Sequence, residues 1–213
     1  MGSTVFLLRN GNTVLCEQGR LLGRRDIALS AEGKGQAEIA RAALAQVEIT
    51  ELVASPLASA TETAEIVLPE SSSLTVCRDP RLNNVDLGRW EGASLDELSR
   101  SSEFCRLLAG DEQAFVDGEG LEEVRRRVVS SVEQALDDNP SDANIVMVSH
   151  SVPIRIAMAH YLEMPLAAYH RLRLSPGALC VLRRERDLDT TRVLATNWPS
   201  PLESLLAPVR GVS

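Results

Sequence analysis

Short, uninterrupted apolar runs alternate along this chain with stretches whose apolar residues recur at helical spacing. Residues 5–8, Val5-Phe6-Leu7-Leu8, are bounded by polar and glycine residues, the pattern of a strand buried on both faces in a parallel sheet. Ser30 opens a helix that carries Ala37, Ala40, Ala43, Leu44 and Val47 on one face. Glu51-Leu52-Val53-Ala54 reads as the next strand, ending at Ser55-Pro56, and residues 58–67 read as the helix after it.

A short strand around Leu74-Thr75-Val76-Cys77 leads into a turn-rich, partly polar stretch, residues 78–118, with one helix starting at Ser94. That stretch reads as an insertion capping the strand ends. From Gly120, the spacing of Leu121, Val124, Val128, Val129, Val132 and Leu136 predicts a long amphipathic helix. Its polar face carries Arg125, Arg126 and Arg127 and is read as a solvated surface.

Asn144-Ile145-Val146-Met147-Val148-Ser149 is the strongest buried-strand pattern, and it leads through His150 into a helix over residues 152–162. Strands near residues 179–182 and 192–195 complete the sheet, and the tail 199–213, with Pro201 and Pro208, is expected at the surface or frayed. Strands alternating with helices predict one domain over 1–213, a three-layer α/β/α sandwich with a mainly parallel sheet. Ligands in such sheets sit outside the carboxyl ends of the strands, which brings Arg9-Asn10, Ser55 and Ser149-His150 together.

Composition narrows the function without naming it. The 213 residues are 44% hydrophobic, enough for one sizeable core, and 30 acidic against 22 basic residues give a formal charge of -8. That balance disfavours nucleic acid and anionic membranes as partners. No window holds the roughly 20 apolar residues of a membrane helix, and the start lacks a signal peptide's features, so a cytoplasmic protein is expected. Cys16, Cys77, Cys105 and Cys180 form no CxxC pair, and neither His160 nor His170 has metal-ligand spacing, so no zinc site, disulfide framework, metal or cofactor is expected.

Several segments resemble the histidine phosphatase superfamily, in its phosphoglycerate-mutase-like branch. Leu7-Leu8-Arg9-Asn10-Gly11-Asn12-Thr13 is similar to the family's Arg-His-Gly-Glu-Thr signature. Gly23-Arg24-Arg25-Asp26-Ile27-Ala28-Leu29-Ser30 is similar to its Gly-x-x-Asp-x-Pro-Leu-Thr segment, and Ser55-Pro56-Leu57-Ala58-Ser59-Ala60 to its Ser-Pro-Leu-x-Arg-Ala helix start. Arg81-Leu82-Asn83-Asn84, Gly88-Arg89-Trp90-Glu91-Gly92, Gly118-Glu119-Gly120 and Val148-Ser149-His150-Ser151 follow in the family's order, so the resemblance spans residues 4–197. It implies a phosphoglycerate-mutase-like fold with a pocket built around Arg9 and His150.

The same resemblance implies a degenerate active site. Asn10 occupies the place of the histidine nucleophile, Ser59 that of the second, phosphate-clamping arginine, and Asn84 that of the acid which protonates the leaving group. Asn12, Cys16 and Ser151 replace the motif's Glu, Asn and Gly. Without the covalent nucleophile there is no evident phosphohistidine route, and a positioned general acid alone is typically worth about 10²–10⁴ in rate. One guanidinium and one imidazole suit a monoanion, a carboxylate or a polar neutral group better than a phosphomonoester.

Each candidate residue has two readings. Arg9 either contacts a ligand or pairs with Asp26. His150 either faces the pocket or is a neutral histidine satisfied by backbone. Asn10 and Asn84 either fill an abandoned site or orient a ligand through their carboxamides, with Ser59 and Ser151 adding neutral hydrogen bonds. Cys16 is either a thiolate activated by cationic neighbours or a small apolar filler. The expected function is a pseudoenzyme that binds a small anionic metabolite through Arg9 and His150. The alternatives are an enzyme repurposed for hydrolysis, elimination or acyl transfer in a biosynthetic pathway, and a residual phosphatase or mutase using His150. A homodimer is left open.

Overall fold

The computed structural model describes residues 2–69, 72–108, 117–140, 142–185 and 190–198. Among them six strands form one sheet: β1 (Thr4–Arg9), β2 (Glu51–Ala54), β3 (Val76–Arg78), β4 (Asn144–Ser149), β5 (Leu179–Glu185) and β6 (Thr190–Trp198). Their spatial order is β3-β2-β4-β1-β5-β6. The first four are parallel, whereas β5 pairs antiparallel with β1 and β6 antiparallel with β5. The sheet is therefore mainly parallel with an antiparallel edge.

The helices are α1 (Val14–Glu17), α2 (Ala31–Leu44), α3 (Ala58–Val67), α4 (Leu95–Leu98), α5 (Ser102–Leu108), α6 (Leu121–Asp138) and α7 (Ser151–Tyr161). Alternate strand residues feed two apolar layers. Val5, Leu7, Ile145 and Met147 pack with Leu121, Val124, Val128 and Val132 of α6 and Ile154 and Met158 of α7. Leu8, Val146 and Val148 pack on the other side with Ala40 and Leu44 of α2 and Ala60, Ala64 and Val67 of α3. Period-2 alternation thus delivers both faces of one strand to two different helix layers.

Several boundaries move. The third strand is Val76–Arg78, two residues later than the pattern of 74–77 suggests. The first long helix stops at Leu44 and Val47 belongs to the turn behind it, its N–H donating to the Leu44 carbonyl at 2.8 Å. In the stretch 78–118, Trp90, Leu98 and Phe104 enter the same core as α6 and α7, and the Trp90 and Phe104 rings lie 6.0 Å apart. Residues 109–116 of that stretch and the tail 199–213 lie outside the described residues.

Local chemistry sets where the loops after the strands go. Ser30 caps α2 by accepting the Gly33 N–H at 3.0 Å, the arrangement that makes serine a favoured N-cap. The loop after β1 lies against this first turn: a Cβ on Gly11 would sit 2.2 Å from the Gly33 carbonyl oxygen, and one on Gly33 would sit 2.0 Å from that of Asn12. Only glycine permits that approach. The Ser30 N–H donates to the Asn12 carbonyl at 2.9 Å and Gln36 Oε1 accepts from the Asn12 N–H at 2.8 Å.

Candidate functional site

Strand register assembles the site. Arg9 lies opposite Ser149 across the β1–β4 ladder. The Asn10 N–H donates to the Ser149 carbonyl at 2.9 Å, and the Ser55 N–H to the Val148 carbonyl at 2.9 Å. The carboxyl ends of β1, β2 and β4 therefore end side by side, as the topology of an open α/β sheet leads one to expect. A small cavity between them is lined by Arg9, Asn10, Gly11, Cys16, Leu22, Asn84, His150 and Ser151 and measures about 10 Å³. That is room for about one water.

His150 is buried, and its Nε2 lies 2.9 Å from Ser55 Oγ. The Ser55 hydroxyl donates its own proton to Asn83 Oδ1 at 2.9 Å. A hydroxyl has one proton, so Ser55 accepts from His150, and Nε2 is the protonated nitrogen. Nδ1 then carries the lone pair, and it is buried with no hydrogen-bond partner. Burial, reinforced by the positive charges of Arg127 and Arg9, pushes the imidazole pKa down to about 3. His150 is a neutral base at neutral pH, held by a side chain rather than by backbone.

Arg9 donates from Nη1 to the Leu174 carbonyl at 2.5 Å. Burial lowers its pKa to about 10, Cys16 opposes that shift, and the like charge of Arg155 adds to it. Asp26, the partner envisaged for Arg9 as an ion pair, turns to the start of α3, where its Oδ1 accepts the Ala58 N–H at 2.6 Å.

Asn10 is buried and its Nδ2 donates to the Gly11 carbonyl at 2.8 Å. Asn84 is buried with both ends of its carboxamide engaged: Nδ2 donates to the Gly23 carbonyl and Oδ1 accepts from the Val85 N–H, each at 3.0 Å. Cys16, partly buried, borders the cavity from α1. Ser151 borders it from the first residue of α7, and its carbonyl accepts from Arg155 Nε at 3.2 Å.

Ser59 departs from the expected set, because it is buried in the first turn of α3 and is not among the residues lining the cavity. Its carbonyl accepts from Thr63 Oγ1 at 2.7 Å, and Thr63 Oγ1 accepts in turn from the Gly11 N–H at 3.1 Å. Thr63, anchored on the Ser59 carbonyl, thus supports the loop after β1.

Two arginines correct the sequence reading. Arg127 does not belong to a solvated face: its Nε and Nη2 donate to the buried Glu119 carboxylate at 2.6 and 2.9 Å. Its Nη1 donates to the carbonyls of Arg81 and Asn83, each at 2.6 Å, and its Nη2 to that of Asn84 at 3.1 Å. Arg24 joins the same carboxylate at 3.2 Å. This cluster fixes the loop that carries Asn83 and Asn84. Arg125 instead pairs with Glu122, and Arg126 is exposed.

Arg155 is the second correction, a buried arginine outside the cavity lining whose positive charge acts on Arg9. It stands in α7 among Val152, Ile154, Ile156, Ala157 and Met158, all buried, and is itself only 7% exposed. A lone arginine inside an otherwise apolar helix is the sequence feature that could have found it. Away from the pocket, His160 Nδ1 lies 3.4 Å from Arg125 Nη1, and His170 stacks edge-on against Tyr169. Among the described residues no three His, Cys, Asp or Glu side chains gather as a metal set, and no helix is long and apolar enough to cross a membrane.

Comparison with known proteins agrees with this fold. The histidine phosphatase superfamily (branch 1) matches residues 5–198. A probable phosphoglycerate mutase, GpmB of Erwinia tasmaniensis, is 31% identical over 197 residues, which cover 91% of this chain and 89% of the relative. Among solved structures, Bacillus stearothermophilus YhfR superposes with a TM-score of 0.83 at 24% identity, covering 93% of this chain and 98% of its own. A histidine-to-alanine mutant of Entamoeba histolytica phosphoserine phosphatase, in complex with phosphoserine, gives 0.82 at 21% identity, covering 92% and 97%. Mycobacterial glucosyl-3-phosphoglycerate phosphatase Rv2419c, complexed with VO3, gives 0.79 at 26%, covering 91% and 98%. With its family match spanning nearly the whole chain and its strand ends converging as described, this protein belongs to the histidine phosphatase superfamily, branch 1.

Proposed function

We propose that this chain binds a small anionic metabolite at the pocket between Arg9 and His150, without passing a phosphoryl group through a phosphohistidine. The observation that carries the reading is Asn10, whose carboxamide sits at the end of β1 beside Arg9 and His150 with Nδ2 committed to the Gly11 carbonyl. A carboxamide nitrogen has no basic lone pair to attack phosphorus. Asn84, both of whose polar ends are engaged, is no acid for a leaving group.

The residual phosphatase or mutase reading needs His150 as nucleophile. Its Nε2 carries a proton donated to Ser55 and its Nδ1 is buried, which opposes that role. Repurposed chemistry through Ser59 is opposed by its absence from the cavity lining, so Cys16 at the cavity edge is the nucleophile left to that alternative. The anionic class of ligand is supported by the relatives, whose names include a phosphoglycerate mutase and a phosphoserine phosphatase solved with phosphoserine or with 3-phosphoglyceric acid.

Calorimetric titration of wild type and Arg9→Ala with acetate, sulfate and 3-phosphoglycerate tests the assignment. Wild type should bind at least one of these anions and Arg9→Ala none, with the fold retained because β1 is held by its buried residues Val5, Leu7 and Leu8. Binding unaffected by Arg9→Ala would refute the pocket.

A further inference from the structure

Much of the polar machinery bordering the strand-end cavity is already engaged. Asn84 uses both ends of its carboxamide, Asn10 gives Nδ2 to the Gly11 carbonyl, and Arg9 gives Nη1 to that of Leu174. His150 gives Nε2 to Ser55, which is not among the residues lining the cavity. The ring nitrogen it leaves for a ligand there is Nδ1, buried and without a hydrogen-bond partner among the described residues. His150 as a whole is only 2% exposed, so bulk solvent does not satisfy this atom. Native proteins rarely leave a buried polar atom unmet, and one that persists on the wall of a cavity is explained by what the cavity receives.

The polarity of that atom decides what fits against it. Because Nε2 carries the proton, Nδ1 presents a lone pair and can only accept. Burial and the positive charges of Arg127 and Arg9 keep it from taking up a proton, so it can hold a donor without deprotonating it. An unprotonated oxyanion oxygen placed there would set one lone pair against another and leave both unmet. An O–H or N–H group satisfies the atom, and Arg9, lining the same cavity, meets a negative charge beside it.

We propose that the pocket takes a singly charged anion that carries a proton donor next to its charge, of the class of small hydroxycarboxylates, with Arg9 facing the carboxylate and His150 Nδ1 accepting from the hydroxyl. The inference rests on the pocket being an anion site, and it narrows that reading from anions in general to anions that bear a hydroxyl. His150 is then a specificity-determining residue, which sorts ligands by a hydrogen they carry rather than by their charge. A site arranged to bond a ligand hydroxyl discriminates against the analogue that lacks it, because the buried partner is left unpaired.

Glycolate and fluoroacetate test it, because both are singly charged carboxylates of closely similar size, and the fluorine that replaces the hydroxyl donates nothing. By calorimetry on the full chain at neutral pH, wild type should bind glycolate about tenfold or more tightly than fluoroacetate. His150→Phe, which keeps a ring in the buried position and removes the acceptor, should weaken glycolate to the level of fluoroacetate. Equal binding of the two by wild type, or an unchanged glycolate preference in folded His150→Phe, overturns this proposal while leaving the anion pocket standing. Failure of wild type to bind either overturns the proposal, and failure to bind acetate, sulfate and 3-phosphoglycerate as well overturns the pocket itself. Should His150→Phe not fold, the unprotonated ring-nitrogen resonance of wild-type His150 decides: a shift with glycolate and none with fluoroacetate supports the assignment, and no shift with bound glycolate overturns it.

Discussion

His150 Nε2 and Ser55 Oγ meet at 2.9 Å across the carboxyl ends of β4 and β2, two strands that pair directly in the sheet. The distance alone would fit a serine activated by a histidine base. The hydrogen-bond direction excludes it, because Ser55 gives its proton to Asn83 and can only accept from the imidazole. The loop holding Asn83 is pinned in turn by Arg127 and Glu119. Glu119 is thus linked to His150 through Arg127, Asn83 and Ser55.

The tautomer is directly measurable. Long-range proton–nitrogen correlation spectra of the wild type should show His150 protonated at Nε2. Ser55→Ala should cost about 1–3 kcal/mol of stability, since it leaves a buried donor unmet. An Nδ1-protonated ring in the wild type would contradict the Ser55–Asn83 assignment.

Stability should also depend on pH through His150. Its folded pKa of about 3 lies below the ordinary 6.5, so below about pH 6.5 the unfolded chain takes up a proton that the folded chain refuses. The contribution is complete above 6.5, declines as pH falls, and levels off near 3. The slope between is at most about 1.4 kcal/mol per pH unit. Urea unfolding of wild type and His150→Gln between pH 7.5 and 5 should show the wild type losing more stability by roughly that slope; parallel curves would contradict the burial of a neutral imidazole.

The Glu119 cluster carries a third expectation. Glu119 is 6% exposed and draws hydrogen bonds from both Arg127 and Arg24. Removing the main partner with Arg127→Met leaves the buried carboxylate with the half-exposed Arg24 alone and should cost up to about 3 kcal/mol. Arg127→Met combined with Glu119→Gln should recover part of that loss, as chemical denaturation would show, because no buried charge is then left and Arg24 is exposed enough to be solvated. Absence of any recovery would place the cost in the three backbone carbonyls that Arg127 also holds.

How much of this was legible beforehand follows from what leaves a periodic mark. Strands β1 and β4 stand out as unbroken apolar runs because helices cover both faces, and α3 begins and ends at the expected Ala58 and Val67. Positions Arg9, Asn10 and His150 follow from strand ends alone. Arg127 was not legible as a half-buried, paired group: it sits one residue before Val128 on the border of the apolar stripe, where a long side chain can turn either way. Ser59 entered the candidate set by its order along a motif, which says nothing of helix rotation, and α3 leaves it outside the cavity lining. Arg155 stands out by its isolation among apolar neighbours in α7.

Restoring the missing nucleophile should not restore activity. Asn10→His would return an imidazole to the end of β1, but Asn84 still provides no acid and Ser59 no clamp. Turnover of aryl phosphates by Asn10→His should stay at background; full recovery from this one change would mean that the rest of the machinery is intact.

The most direct test of the account is a single-turnover experiment with excess wild-type protein and a radiolabelled phosphomonoester such as 3-phosphoglycerate, quenched in alkali to preserve any phosphohistidine. The account predicts no label on the protein and no release of inorganic phosphate above the buffer control. Label that accumulates on the chain and disappears in His150→Ala would contradict it, and would make His150 the nucleophile that its hydrogen bonds to Ser55 argue against.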